Sequence, residues 1–277
     1  MPVRTHVAVV TGPPPRIEVR NPAGSVIVEA VEGAEQLEVR VEPLDDAAEQ
    51  LLDRVEIDVR AADPDRAGST TRLRVIVPER RLLRTPAFAV RITTPAGAAA
   101  RIAVASAHVE LTGRFGELGV TGASADLDVE QGTDVDLRTA SGDARIGTID
   151  GRASIGSASG DVRVGRAHGP LQVRTASGDV SVEQPADNVS ISTASGDVAV
   201  GAATGGAVHI TTVSGDSSVG VVPGLRVWLD LSSVSGRMDS RLEDDDRTAD
   251  GPPALTLTLR SVSGDMRIHR TAAAPAA

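Results

Sequence analysis

The chain has 277 residues, a formal net charge of −10 and basic charge carried by Arg alone; that length supports one or two domains with a core, and the acidity excludes wrapping nucleic acid or an anionic membrane by bulk electrostatics. With two Phe, one Trp and no Tyr, the interior must be filled by Val, Ile, Leu and Ala, which favours thin stacked strands over a bulky helical bundle. The absence of Cys excludes disulfides, thiolate nucleophiles and Cys-ligated zinc.

At the start, Met1 to Ala8 lack the apolar h-region of a signal peptide. No apolar run approaches the ~20 residues of a membrane helix, so the expected compartment is the cytoplasm. Residues 1–97 read as a β-rich region continuing into or capping the remainder of the chain. Alternating stretches fall at Arg16–Arg20, Val26–Val28, Leu37–Val41, Val55–Val59 and Leu73–Val77. One short helix is expected over Asp46–Arg54, with Asp46 and Glu49 at capping-box spacing, and a polar loop over Asp63–Thr71. Pro95-Ala96-Gly97 then marks the start of regular repeats over 98–270.

Those repeats are built on a Ser-Gly turn: Ser141-Gly142, Ser159-Gly160, Ser177-Gly178, Ser195-Gly196, Ser214-Gly215, Ser235-Gly236 and Ser263-Gly264, at intervals of 18, 18, 18, 19, 21 and 28 residues. Degenerate copies precede them at Ser106 and Ser124. Each turn separates two alternating stretches, as Leu171–Thr175 and Val180–Val182 flank Ala176-Ser177-Gly178-Asp179. Period-2 alternation reads as strand, and Ser-Gly-Asp as a tight bend with Gly at positive φ. The predicted fold is all-β: a single-chain β-solenoid, or β-helix, with ~18-residue coils paired as parallel strands ~4.8 Å apart. A right-handed course is expected from the general crossover preference. The ten extra residues of the last interval fall in an acidic loop from Glu243 to Pro253, and 271–277 read as a disordered tail.

The register predicts columns. Leu137, Ile155, Val173, Ile191, Ile210, Leu231 and Leu259 form the expected core column. Two residues on, Thr139, Ser157, Thr175, Thr193, Thr212, Ser233 and Ser261 face inward by parity. A hydroxyl ladder satisfying turn backbone is expected there, rather than an outward, ice-binding array. Ala140, Ala158, Ala176, Ala194, Val213, Val234 and Val262 would face outward, with a corner or bulge expected nearby.

The repeated Thr-Ala-Ser-Gly-Asp-Val at 175–180 and 193–198, with Asn21-Pro22-Ala23-Gly24-Ser25-Val26, Trp228-Leu229-Asp230-Leu231 and Gly264-Asp265-Met266-Arg267-Ile268-His269, resembles a bacterial adhesin-like β-strand-repeat family of unknown function. The resemblance covers nearly the whole chain. It implies a β-helix-like fold and an adhesin-like role, and it offers no catalytic residues to carry over.

For chemistry, His6, His108, His168, His209 and His269 share no repeat column, and no nucleophile elbow, phosphate loop or metal spacing occurs. No catalytic, cofactor or metal residue is therefore assigned. The Asp column (Asp143, Asp161, Asp179, Asp197, Asp216 and Asp265, interrupted by Arg237) is the one electrostatic constellation. Arg145, Arg163 and Arg267 can each pair with their own coil's Asp, and Arg237 with Asp239. Asp179, Asp197 and Asp216 lack such a neighbour and form a candidate acidic strip for Ca²⁺ or a basic partner, unless each carboxylate accepts N–H bonds in its own turn. The expected function is a non-enzymatic binding or scaffold module for a protein or glycan partner, without nucleic acid or membrane insertion. The alternatives are a carbohydrate-active enzyme on the same fold, and a structural protein self-associating through the solenoid ends.

Overall fold

A computed structural model describes residues 2–63, 65–66, 68–79, 85–242 and 252–271. The chain divides into two compact units, residues 1–143 and 144–277, each built of β-solenoid coils.

In the first unit the strands are β1 (Arg4–Val9), β2 (Arg16–Val31), β3 (Gln36–Pro43), β4 (Glu56–Arg60), β5 (Arg72–Ile76), β6 (Phe88–Pro95), β7 (Ala99–Ser124) and β8 (Leu127–Ser141). The long strand β2 is itself a coil. It pairs in parallel with β7 over Arg16–Ala30, and on its other side with β5 and β6. The segment expected to be irregular therefore already holds the repeat's geometry, with Gly24 standing opposite Ala107. The sequence hides this because Asn21-Pro22-Ala23-Gly24 replaces the Ser-Gly-Asp grammar. Buried Asn21 does the corner's work, donating from Nδ2 to the Ser25 and Phe88 carbonyls at 3.1 and 3.0 Å.

Antiparallel pairing closes the outer side of this unit: β3 on β6, β1 on β3 and β4 on β5. The helix starts at Asp46 as expected but is shorter and is capped by a different residue. The α-helix α1 covers Asp46–Glu49, capped by the Asp45 carboxylate on the Ala48 N–H, and a separate 3₁₀ turn covers Leu52–Arg54. Its cap precedes Asp46, so the expected capping box is one residue out of frame.

The second unit is more regular. One side of each coil is a strand leading into the Ser-Gly turn: β10 (Ala153–Ser159), β12 (Leu171–Ser177), β14 (Val189–Ser195), β16 (Gly206–Ser214), β18 (Val227–Ser235) and β20 (Leu255–Ser263). The other side is the strand after that turn: β9 (Ala144–Ile149), β11 (Val162–Ala167), β13 (Val180–Pro185), β15 (Val198–Ala203), β17 (Ser217–Val221), β19 (Met238–Arg241) and β21 (Met266–Arg270). The pairings are parallel, and they hold one register, as in Ile155↔Val173↔Ile191↔Ile210, apart from a shift between Val200 and Ala203 where β15 meets β17. Those four are buried, together with Val162, Val164, Val180, Val182, Val198 and Val200 from the facing strands. The core is thus a stack of branched aliphatics one layer thick.

The last two coils are stacked out of chain order. The strand β16 pairs not with β18 but with β20, and β20 then pairs with β18; β17, β21 and β19 keep the same order. The final coil of the sequence therefore lies beneath the one that precedes it. The irregular turn spacings of 21 and 28 residues mark this exchange: the chain skips a level after Val221 and must step back after Arg241. The acidic residues Glu243 to Asp246 lie outside the described residues, as do 272–277.

Candidate functional site

The turn column carries the densest repeated chemistry, and its geometry follows from the corner. At each Ser-Gly-Asp bend the backbone leaves the parallel ladder. The N–H of Gly178 still donates to the Ser195 carbonyl of the next coil, and that of Val180 to the Asp197 carbonyl. The Asp N–H between them points the opposite way, where no carbonyl waits. The preceding coil's Asp supplies the acceptor: the Asp179 N–H donates to Asp161 Oδ1 at 3.0 Å, Asp197 to Asp179 at 2.9 Å, Asp216 to Asp197 at 2.8 Å and Asp265 to Asp216 at 2.8 Å. In the first unit Asp143 N–H donates to Asp126 in the same way. These bonds run between turns, not within a coil's own turn as the sequence suggested. They also explain how like charges can stack at one-coil spacing, since each carboxylate faces a backbone dipole.

The ladder ends at Arg237, whose N–H donates to Asp265 Oδ1 at 2.8 Å. Its coil is the outermost of the described coils, with no further turn to accept from it. The interruption that reads as a charge exchange is thus the end of the ladder. Asp239 pairs with Arg241 at 3.0 Å and not with Arg237. Of the expected own-coil pairs, Asp161–Arg163 forms at 2.8 Å; none joins Asp265 to Arg267 among the described residues.

Beside the carboxylates, the hydroxyls face inward. Thr139, Thr175, Thr193 and Thr212 are buried and donate to the carbonyl two residues on, at Ser141, Ser177, Ser195 and Ser214; Ser157 does the same to Ser159. Strict alternation survives as far as this column, and Val213, Val262 and Val234 point outward. Glycine is required at the turn: Gly178, Gly196 and Gly215 have φ of +137°, +135° and +131°, and a Cβ there would overlap the carbonyl oxygen of the turn beneath.

The candidate strip Asp179, Asp197 and Asp216 is exposed. Each Oδ1 is committed to a backbone N–H, and each Oδ2 has no hydrogen-bond or ion-pair partner among the described residues. No group of three metal-ligating side chains is assembled among the described residues. The histidines remain scattered; His108 approaches Asp128 at 3.9 Å, and His209 contacts the Thr211 hydroxyl. Sequence reasoning missed a cluster of arginines on the outward face of the first unit, where Arg16, Arg60 and Arg72 are distant in sequence and adjacent in the sheet.

Residues 90–204 match the family described as Toastrack DUF4097. The match covers less than half of the chain. Among solved structures, the chain is similar to a "putative adhesin" from Bacteroides fragilis (12% identity, 97% of each chain covered, TM-score 0.45). It is also similar to a "putative lipid binding protein" from Parabacteroides distasonis (12% identity, 98% of this chain and 97% of that one, TM-score 0.38). A third likeness is to a "putative adhesin" from Parabacteroides merdae (11% identity, 96% of each chain, TM-score 0.31). No curated protein matches the chain.

Proposed function

We propose that the protein is a non-enzymatic binding module whose rigid, in-register faces present repeated side chains to a protein or glycan partner. The single observation that supports this is the second unit's register: each coil places the same chemistry one strand spacing from the last, so that Asp179, Asp197 and Asp216 form one exposed acidic row. A row with one free oxygen per coil suits a basic partner better than Ca²⁺, which takes about 6–8 oxygens around one ion. The test is affinity capture from the native cell with the full chain and with an Asp179→Asn, Asp197→Asn, Asp216→Asn variant. Loss of a captured partner in the variant supports the reading. A partner held equally by both places contact on another face, and calorimetric sub-micromolar Ca²⁺ binding abolished by Asp197→Asn overturns the preference for a basic partner. Cell fractionation tests the cytoplasmic location that belongs to the same reading.

A second reading, self-association, is favoured by the end coil. Among the described residues β18 has a strand partner on one side alone, and it exposes Trp228 and Val234 at 51% and 83%. Antiparallel pairing of two such edges about Leu231 would set Trp228 opposite Val234 of a second copy. Light scattering against concentration tests it: a dimer weakened by Val234→Thr supports the reading, and a monomer at every concentration removes it.

A further inference from the structure

One row of the first unit's outward face breaks the rule that governs its neighbours. The registers of β4, β5, β2 and β7 bring Arg60, Arg72, Arg16 and Ala99 side by side on four adjacent strands. Like charges directly opposite across strands destabilise a sheet. Two residues along, the same four strands carry Asp58, Arg74, Glu18 and Arg101, alternating in sign. One ion pair runs across that row, Arg74–Glu18 at 3.7 Å, while Arg60–Asp58 at 3.0 Å and Arg20–Glu18 at 3.2 Å join residues two apart on one strand and Arg101 reaches Glu117 at 2.9 Å. Of the described arginines on these four strands, only Arg16 and Arg72, neighbours in the like-charged row, take no carboxylate.

The small side chain of Ala99 leaves a depression beside them. The result is a cleft of about 350 Å³, lined by five arginines against three carboxylates. In a chain of net charge −10 this is a local concentration of positive charge that bulk composition does not produce.

We propose that this cleft binds a phosphomonoester group, with Arg16 and Arg72 as its ligands. Two adjacent strands hold their guanidinium groups ~4.8 Å apart at the backbone. A phosphomonoester carries about two negative charges near neutral pH and three acceptor oxygens, matching two unpaired forks that can each bind in bidentate fashion. The ion-paired Arg60, Arg74 and Arg101 frame the cleft, their own charge already answered. The inference is independent of the reading of the acidic row, which lies in the other unit.

The group could belong to a soluble ester or a lipid headgroup, and the experiment separates the two. Full-length protein is titrated calorimetrically with glucose 6-phosphate. It is also sedimented with phosphatidylcholine vesicles with and without phosphatidic acid. Saturable binding is expected in at least one arm, weakened roughly tenfold or more in Arg16→Gln, Arg72→Gln, weakened by added salt, and unchanged in Arg174→Ser on the second unit. Circular dichroism confirms that each variant keeps its sheet, and the single Arg16→Gln provides a milder second variant with an intermediate loss. Absence of binding in both arms at millimolar ester overturns the proposal. So does binding that the double variant retains, or that Arg174→Ser weakens equally.

Discussion

Asp197 illustrates how one residue type can serve as ligand-like surface and as backbone carpentry. Its Oδ1 accepts the Asp216 N–H at 2.8 Å, so what matters structurally is an oxygen at that position, not a charge. Asp197→Asn keeps the acceptor and removes repulsion from Asp179 and Asp216; it is expected to leave stability within roughly 0.5 kcal/mol of the parent. Asp197→Ala strands the N–H and is expected to cost about 1 kcal/mol. Chemical denaturation of the two variants separates them, and equal losses would show that the interstrand bond contributes nothing. Gly196 is less forgiving. With φ at +135° and the Gly178 carbonyl oxygen standing where a Cβ would go, Gly196→Ala must distort two turns at once. A loss of at least about 2 kcal/mol is expected in thermal unfolding, against near-neutral behaviour for alanine at Ser192, a surface position of the adjoining strand.

Among elements, the exchanged last coils are the feature with the most testable geometry. The chain has no native Cys, so engineered pairs report stacking order without background. Thr211 and Arg260 are register partners on adjacent strands, as are Arg260 and Ser232. Their ~4.8 Å spacing falls inside the disulfide window of about 4.4–6.8 Å. Under mild oxidation Thr211→Cys with Arg260→Cys is expected to cross-link, seen as a shift on a non-reducing gel. Thr211→Cys with Ser232→Cys is not, because β20 lies between them. The reverse result would restore simple chain order. Arg270 also belongs to this exchange: its guanidinium donates to the Val222 and Leu225 carbonyls, tying down the connection that skips a level. Arg267, His269 and Arg270 lie on the last coil in sequence, yet that coil is covered by β18 and β19.

At the scale of the molecule, the described end of the second unit is the coil Val227–Arg241. Its core-facing Val227, Leu229 and Leu231 are half-buried where the equivalent residues of inner coils are fully buried. The chain's one Trp sits on this coil, half exposed, and reports on it alone. In dilute solution Trp228 is expected to be freely quenched by acrylamide. Quenching that falls as concentration rises would place an association surface at this coil; quenching that stays weak at every concentration would contradict an exposed indole. The five arginines of the first unit's cleft come from strands spread between residues 16 and 101, and no local window contains the charge pattern they make together.

The sequence alone determined the coil length, the in-and-out alternation, the glycine at each turn and the hydroxyl ladder, because each depends on a residue and its neighbours one or two positions away. It also flagged Arg237 as an interruption of the Asp column and the last interval as ten residues longer than the period. Tertiary structure decided what those exceptions mean. Which coil lies on which depends on how the chain steps between levels, and parallel coils of one repeat offer nearly equivalent partners to any other. The Ser-Gly-Asp turn shows the division most plainly: its recurrence was legible from the sequence, but the Asp finds its hydrogen-bond partner one coil away, and only stacking could show that.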